Sequence, residues 1–313
     1  MQFDSKIYVA GHNGLAGSAI CKKLQASGYN NLILRPSSEL DLRDQIAVEN
    51  FFIQEKPEYV FLAAAKVGGI QANIDHPAEF IYDNLTIQTN VIHAAYKYGV
   101  KKLLFLGSSC IYPRDCLQPI KEEYLMTKPL EPSNESYAIA KIVGLRMCQA
   151  YNKQYGTNFI SCMPTNLYGP GDNFNLTNSH VLPALIRKFY ETKINNLDSV
   201  TIWGTGKAMR EFLYVDDLAD AAIYLMQNYN GDIPINIGTG KDVTIRQLAE
   251  IIKNIVDFKG DIIFDSSKPD GTPRKLLDVT IANKIGWQAT TSLENGIRQT
   301  FEWYLENNLK NRK

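Results

Sequence analysis

The stretch KIYVAGHNGLAG, residues 6–17, limits what this chain can fold into more than any other. Residues 6–10 form a short apolar β-strand pattern. Gly11, Gly14 and Gly17 follow before a helical pattern over 15–27, with Ala16, Ile20 and Leu24 on one side. In such a turn Gly11 permits the tight bend, Gly14 lets the backbone approach a pyrophosphate, and Gly17 allows close packing of helix on strand. The helix N-terminus adds amide donors and a positive dipole end. Glycine spacing alone is a weak sign, but here it occupies the first βα turn of a βαβ unit.

The alternation continues. Strand patterns at 32–34, at 59–63 (YVFLA) and in KKLLFLG, ending at Gly107, alternate with helical patterns at 45–54 and up to Gly99. Asp75-His76-Pro77 reads as the start of that last helix, with Asp75 as N-cap carboxylate and Pro77 in the first turn. The order βαβαβαβ predicts a Rossmann-type doubly wound parallel sheet, an α/β fold covered on both faces. A loop over 111–133, a helix over 134–155 and a strand over 158–163 extend it. From about residue 171 glycine and proline become frequent, strands such as 200–203 are short, and helices shorten. The predicted organisation is a cofactor domain over 1–170 and a smaller α/β, mainly substrate-binding lobe over 171–313. A segment near 209–240 is expected to return to the main sheet, because IPINI at 233–237 reads as a strand.

Bulk properties remove several function classes. Thirty-three basic residues balance thirty-three acidic ones among 313, which argues against nucleic-acid or membrane-surface binding through general charge. No apolar run approaches the roughly 18 residues that span a bilayer, and the N-terminus enters a strand directly, so no signal peptide is expected. The five cysteines, Cys21, Cys110, Cys116, Cys148 and Cys162, include no CxxC pair and no metal-type cluster with histidine. No metal site and a reduced, cytoplasmic setting are therefore expected. Cys21, Cys148 and Cys162 fall in helix or strand patterns and read as core, and His76 and His93 read as structural.

The second strand ends in Leu34-Arg35-Pro36-Ser37, without a carboxylate to grip a ribose hydroxyl. Arginine there suits a 2′-phosphate, which points to NADPH rather than NADH. A tyrosine followed four residues later by a lysine places both on one helix face. The ammonium can then lower the phenol pKa and hold a nicotinamide ribose, so that tyrosine works as general acid. Tyr98 and Lys102 straddle Gly99, and Tyr124 and Lys128 precede Pro129 in a loop. Tyr137 and Lys141, in NESYAIAKIVG, lie inside a strong helical pattern and form the selected pair. Ser108 completes the set as a hydroxyl for the substrate carbonyl, with Ser109 supporting the loop. No GxSxG elbow supports a serine hydrolase. Pairing Cys110 with His180 as a cysteine protease would leave the nucleotide turn unexplained.

The spacing GxxGxxG and the segments AGHNGLAGSAI, FLAAAKVGGI, LLFLGSSCIYP, YAIAKIVG, MPTNLYGPGDNF, NSHVLPALIRKF, WGTGKAMREFLYVDDLA, NIGTG and KPDGTPRKLLD carry a resemblance nearly end to end. The chain resembles the extended short-chain dehydrogenases/reductases acting on nucleotide sugars, and among them the GDP-L-fucose synthase family. The resemblance implies epimerisation at C3 and C5 of a GDP-4-keto-6-deoxy-D-mannose, then reduction at C4 by NADPH. Cys110 and His180 match the family's base and acid, and Ser108, Tyr137 and Lys141 match its reductase positions. Implied cofactor contacts are Gly11, His12, Asn13, Gly14, Leu15, Ala16, Gly17, Arg35, Leu106, Gly107, Lys141, Pro164, Asn166, Leu167 and His180. Implied substrate contacts are Lys188, Trp203, Arg210 and Asp270, with Lys188 standing where arginine is more usual. A homodimer through the helices near 77–98 and 134–155 is also implied. Related reductases of a GDP-4-keto-heptose or a GDP-4-keto-3,6-dideoxyhexose, with or without epimerase activity, share the same pattern. A non-catalytic NADP-binding sensor would not need Ser108, Cys110, Tyr137, Lys141 and His180 together.

Overall fold

Each apolar run of the first half becomes a strand of one sheet. The computed structural model describes residues 1–176, 179–268 and 270–310. Strands β1 (Ile7–Ala10), β2 (Leu32–Ile33), β3 (Tyr59–Leu62), β4 (Lys102–Leu106) and β5 (Phe159–Pro164) alternate with α1 (Leu15–Ala26), α2 (Gln45–Glu55), α3 (Ile70–Asp75), α4 (Pro77–Lys97) and α5 (Glu135–Tyr155). The remaining strands are β6 (Asn166–Tyr168), β7 (Ser199–Trp203), β8 (Met209–Tyr214), β9 (Ile235–Ile237), β10 (Asp242–Thr244), β11 (Asp261–Asp265) and β12 (Arg274–Lys275). Between and after them lie α6 (Val181–Ile194), α7 (Val215–Asn228), α8 (Ile245–Val256), α9 (Thr280–Lys284) and α10 (Leu293–Lys310).

The main sheet has the order β2-β1-β3-β4-β5-β9 and is parallel throughout. Strands buried on both faces need apolar residues at every position, and β1, β4 and β5 are buried along their whole length. Ile7, Val9, Phe61, Leu104 and Ile160 face one side, where Ile20 and Leu24 of α1 meet Leu218 and Leu225 of α7. Tyr8, Val60, Leu62, Leu103 and Phe105 face the other, against Phe52 of α2, Val91 of α4 and Leu145 of α5.

The chain changes sheets at Thr165. Its N–H still donates to Ile237 in the main sheet at 3.0 Å, and its hydroxyl donates to Glu211 on β8 at 3.3 Å. Strand β6 then pairs with the end of β8, while β10 and β12 flank the start of β8. Strands β7 and β11 form a separate parallel pair. A third core of Tyr168, Phe189, Phe212, Leu248, Ile252 and Ile297 fills this smaller lobe.

Three expectations change in detail. Asp75 closes α3 and accepts from Gln71 at 2.8 Å, and His76 occupies the N-cap of α4 without a capping hydrogen bond. The cause is the short helix at 70–75, which uses the residues expected to lead into α4. Within 209–240, α7 and β9 return to the main sheet, but β8 stays in the smaller lobe. The loop over 111–133 is bounded by 3-10 turns at Ser109–Ile111 and Pro132–Asn134 and interrupted by another at Glu122–Tyr124.

Candidate active site

The glycine turn is built as the sequence requires. Gly11 has φ +84°, and a Cβ there would lie 2.7 Å from the Ala64 backbone. A Cβ on Gly17 would lie 2.1 Å from the Gly11 carbonyl oxygen. Gly14 caps α1 with its N–H on Gly11 at 3.0 Å, and Asn13 and Gly14 are exposed on the lip. The first turn of α1, beginning with Leu15 and Ala16, carries no acidic side chain. His12 presents a buried Nδ1 with no hydrogen-bond partner. A bare helix terminus without acids, beside an orphan polar atom, fits a phosphate-bearing ligand.

At the end of β2, Arg35 is held in place. Its Nη1 donates to Leu34 at 2.9 Å and its Nη2 meets Glu55 of α2 at 2.5 Å. The carboxylate missing from the strand tip thus arrives from a helix and binds the arginine.

The ends of β4 and β5 carry the reactive groups. Gly107 donates to Cys162 at 2.8 Å, closing β4 against β5 beside Leu106. Ser108 caps the following turn, its Oγ accepting from the Cys110 N–H at 3.2 Å. Ser109 is buried in that turn, while Ser108 and Cys110 are half-buried, and Cys110 lines a pocket with Glu131, Asn134 and Lys275. Lys275 of β12 brings its Nζ to 3.5 Å from the Cys110 Sγ.

Helix α5 presents Tyr137 and Lys141 to the same region. It can approach closely because a Cβ on Gly144 would lie 2.4 Å from the Phe105 ring. Gln88 of α4 also donates to the Ala140 carbonyl at 2.5 Å. The Lys141 ammonium donates to Leu106 at 2.7 Å and stands 5.9 Å from the Tyr137 ring centre. Burial lowers its pKa to about 8. Tyr137 departs from expectation. Burial pushes its phenol pKa above the ordinary value, a charge on Cys110 adds to that rise, and hydrogen bonding from Ser108 opposes it. Lys141 spends its shortest hydrogen bond on a carbonyl, so desolvation decides the direction.

His180 sits immediately before α6, its carbonyl accepting from Ala184 at 3.1 Å and its ring left out of the cap. The residue is exposed to solvent, yet enclosure of its ring by protein lowers its pKa, and the positive Lys275 lowers it further. Pro164 is buried at the end of β5, and Leu167 and Asn166 begin β6, with Asn166 Nδ2 donating to Glu211 at 2.7 Å.

The four proposed substrate contacts gather around β7 and β8. Lys188 lies 6.0 Å from the ring centre of Trp203, which is 62% exposed and open to a ligand. Asp270 accepts from the Thr205 N–H and hydroxyl, each at 2.7 Å, and those bonds hold its carboxyl below the usual range. Arg210 reaches the Asp270 carbonyl at 3.5 Å. Burial lowers the pKa of Arg210 and of Lys188.

The other Tyr–Lys pairs do not form sites. Lys102 is buried and donates to the carbonyls of Leu225, Met226 and Tyr229 at the end of α7. Lys128 donates to Asp115 at 3.0 Å, and Tyr124 ends a 3-10 turn. His93 shares a 2.7 Å hydrogen bond with Tyr151, and exposed His76 lies 3.3 Å from Glu79. Cys21, Cys148 and Cys162 are buried free thiols. Sequence patterning passed over Lys275 entirely. Among the described residues, no group of three or more His, Cys, Asp or Glu is arranged to hold a metal, and no helix is long and apolar enough to cross a membrane.

The chain is similar to known proteins over nearly its whole length. The model of the NAD dependent epimerase/dehydratase family matches residues 7–238. The chain is 60% identical over 303 residues to GDP-L-fucose synthase 1 of Arabidopsis thaliana, covering 97% of this chain and 94% of that protein. It is 52% identical over 311 residues to GDP-L-fucose synthase of Escherichia coli, covering 96% and 97%. Among solved structures, a GDP-mannoheptose C4 reductase from Campylobacter jejuni with NADP bound superposes with a TM-score of 0.91 at 47% identity, covering 97% and 99%.

Proposed function

The chain belongs to the NAD dependent epimerase/dehydratase family. From that premise we propose that it is an NADPH-dependent epimerase-reductase converting GDP-4-keto-6-deoxy-D-mannose to GDP-L-fucose. The carrying observation is a meeting of groups suited to two chemistries. Ser108 and Cys110 both act on the Tyr137 phenol, Lys141 binds the Leu106 carbonyl at the end of β4, and Lys275, which touches Cys110, also reaches His180. Relatives of that name, 60% and 52% identical over nearly the whole chain, support the substrate assignment.

The turn from Gly11 to Gly17 and the free Nδ1 of His12 fit the pyrophosphate, and Arg35, already oriented by Glu55, fits the 2′-phosphate. Leu106, Gly107, Pro164, Asn166 and Leu167 line the carboxyl ends of the central strands, where a nicotinamide belongs in this fold. When bound, the reduced nicotinamide supplies hydride to the C4 carbonyl carbon. Ser108 donates a hydrogen bond to the C4 oxygen, and Tyr137 gives that oxygen its proton. The raised phenol pKa keeps this proton in place at neutral pH, as a general acid requires. Before reduction, the Cys110 thiolate takes a proton from C3 or C5, whose acidity comes from the adjacent ketone, and His180 returns one to the opposite face. Lys188 and Arg210 neutralise diphosphate, Trp203 borders the nucleotide or sugar, and Asp270 shapes that wall.

A homodimer through α4 and α5 fits the apolar residues those helices leave exposed, among them Tyr82, Ile139, Val143 and Tyr155. The five free cysteines fit a reducing cytoplasm. The deciding experiment supplies NADPH and GDP-4-keto-6-deoxy-D-mannose and follows absorbance at the nicotinamide band with product NMR. GDP-L-fucose is the expected product. No turnover, alongside efficient reduction of a GDP-4-keto-heptose or a GDP-4-keto-3,6-dideoxyhexose, would transfer the assignment to that sugar.

A further inference from the structure

Lys275 reaches the cleft from a part of the chain that no catalytic spacing predicts. Strand β12 runs parallel to β8, with Lys275 opposite Arg210. Arg274 borders the same pocket as Cys110 but is paired with Asp242, with 2.6 Å between Nε and Oδ2, whereas Lys275 reaches Cys110 itself at 3.5 Å. Its charge also reaches His180 and Cys116. The carboxylates nearest this wall are engaged elsewhere. Glu131 lies 3.5 Å from Arg114 and accepts from Ser133 and Thr272, and Asp242 holds Arg274. Lys128 is tied to the Asp115 carbonyl. From α5, the group facing Cys110 is the Tyr137 phenol, which is neutral when it carries its proton. Among the described residues Lys275 forms no ion pair, so its ammonium and the thiol are each other's polar partner.

We propose that Lys275 is the positioning residue for the Cys110 base, holding the sulfur in the cleft by an N–H···S contact and balancing the charge of its thiolate. This rests on the reading of Cys110 as the epimerisation base. In that step the thiolate accepts the carbon-bound proton and becomes a neutral thiol. The C–H electron pair passes into the enolate, whose charge rests on the C4 oxygen, and the lysine keeps its three protons throughout. A fixed ammonium suits this task because the His180 ring is disfavoured from carrying charge, first by enclosure and then by Lys275 itself.

The test alkylates the full-length protein with iodoacetamide across a pH series and follows the Cys110 peptide by mass spectrometry. Lys275→Gln should slow alkylation at pH 7 several-fold relative to wild type while leaving the plateau at high pH, and Lys275→Arg should recover most of the rate. Solvent-deuterium incorporation at C3 and C5 should fall in Lys275→Gln and recover as pH is raised, a response that mere loss of packing does not produce. An unchanged profile in folded Lys275→Gln overturns the proposal, as does a Lys275→Arg variant as slow as Lys275→Gln. A shifted alkylation profile with no exchange in the wild type keeps the lysine–thiol pair and removes the epimerase reading instead.

Discussion

Tyr137 and Lys141 are one helical turn apart, but they do not titrate each other in the way that spacing suggests. The ammonium is spent on the Leu106 carbonyl, and the phenol is left to burial and to Cys110. The two halves of the reaction therefore separate by residue. Tyr137→Phe should lower NADPH oxidation by about 10²–10⁴-fold while solvent deuterium still enters C3 and C5. Cys110→Ser should lose that exchange, and unchanged exchange there would remove Cys110 from the mechanism. Ser108, Tyr137 and Lys141 could be singled out from the sequence as a hydroxyl at a strand end and a Tyr–Lys pair one helical turn apart. Cys110 and His180 were singled out by the family resemblance, and the Cys110→Ser variant above tests the role proposed for the thiol. Lys275 was not legible, since 165 residues separate it from the thiol it touches and contact across two lobes leaves no local pattern. Glu55 was missed for the same reason, because only the packing of α2 beside β2 brings it to Arg35.

Elements show the same division. The strands of the main sheet were legible as unbroken apolar runs, and α4 and α5 as long helical patterns whose predicted limits fall close to Pro77–Lys97 and Glu135–Tyr155. The smaller lobe was legible only in part: the strand read at 200–203 is β7, but β6 with three residues and β12 with two left no pattern that was read. Lys102 illustrates how an element can be fixed by a residue that breaks its own pattern. A lysine at the start of a buried strand survives because its amine collects the free carbonyls at the end of α7 and the Asn230 side-chain oxygen. Lys102→Met should cost roughly 2–4 kcal/mol in urea unfolding, since it leaves several buried acceptors unpaired. A loss within 0.5 kcal/mol would show that water replaces the amine.

At the scale of the whole molecule, two buried carboxyls link stability to pH. Glu211, fully buried, accepts from Thr239, Gly240 and Leu277 and so ties β8 to the segments after β9 and β12. Burial raises its pKa, and burial raises that of Asp172 to about 7. A carboxyl whose folded pKa is raised contributes stability that is complete below its unfolded value and is lost as pH climbs through the folded one. For Asp172 that window runs from about 4 to about 7. Asp172→Asn, which cannot ionise, should therefore gain Tm over the wild type as pH rises from 5 to 8, by several degrees at the upper end. A difference that does not change with pH would show that Asp172 ionises freely. The sheet change at Thr165 carries a consequence for how such proteins can be altered. The chain enters the smaller lobe there, goes back to the main sheet through α7 and β9, and enters the smaller lobe again with β10. No single cut separates the main-sheet domain from the smaller lobe. The smaller lobe is therefore not a transplantable cassette, and exchanging it between relatives would need several joints in the chain.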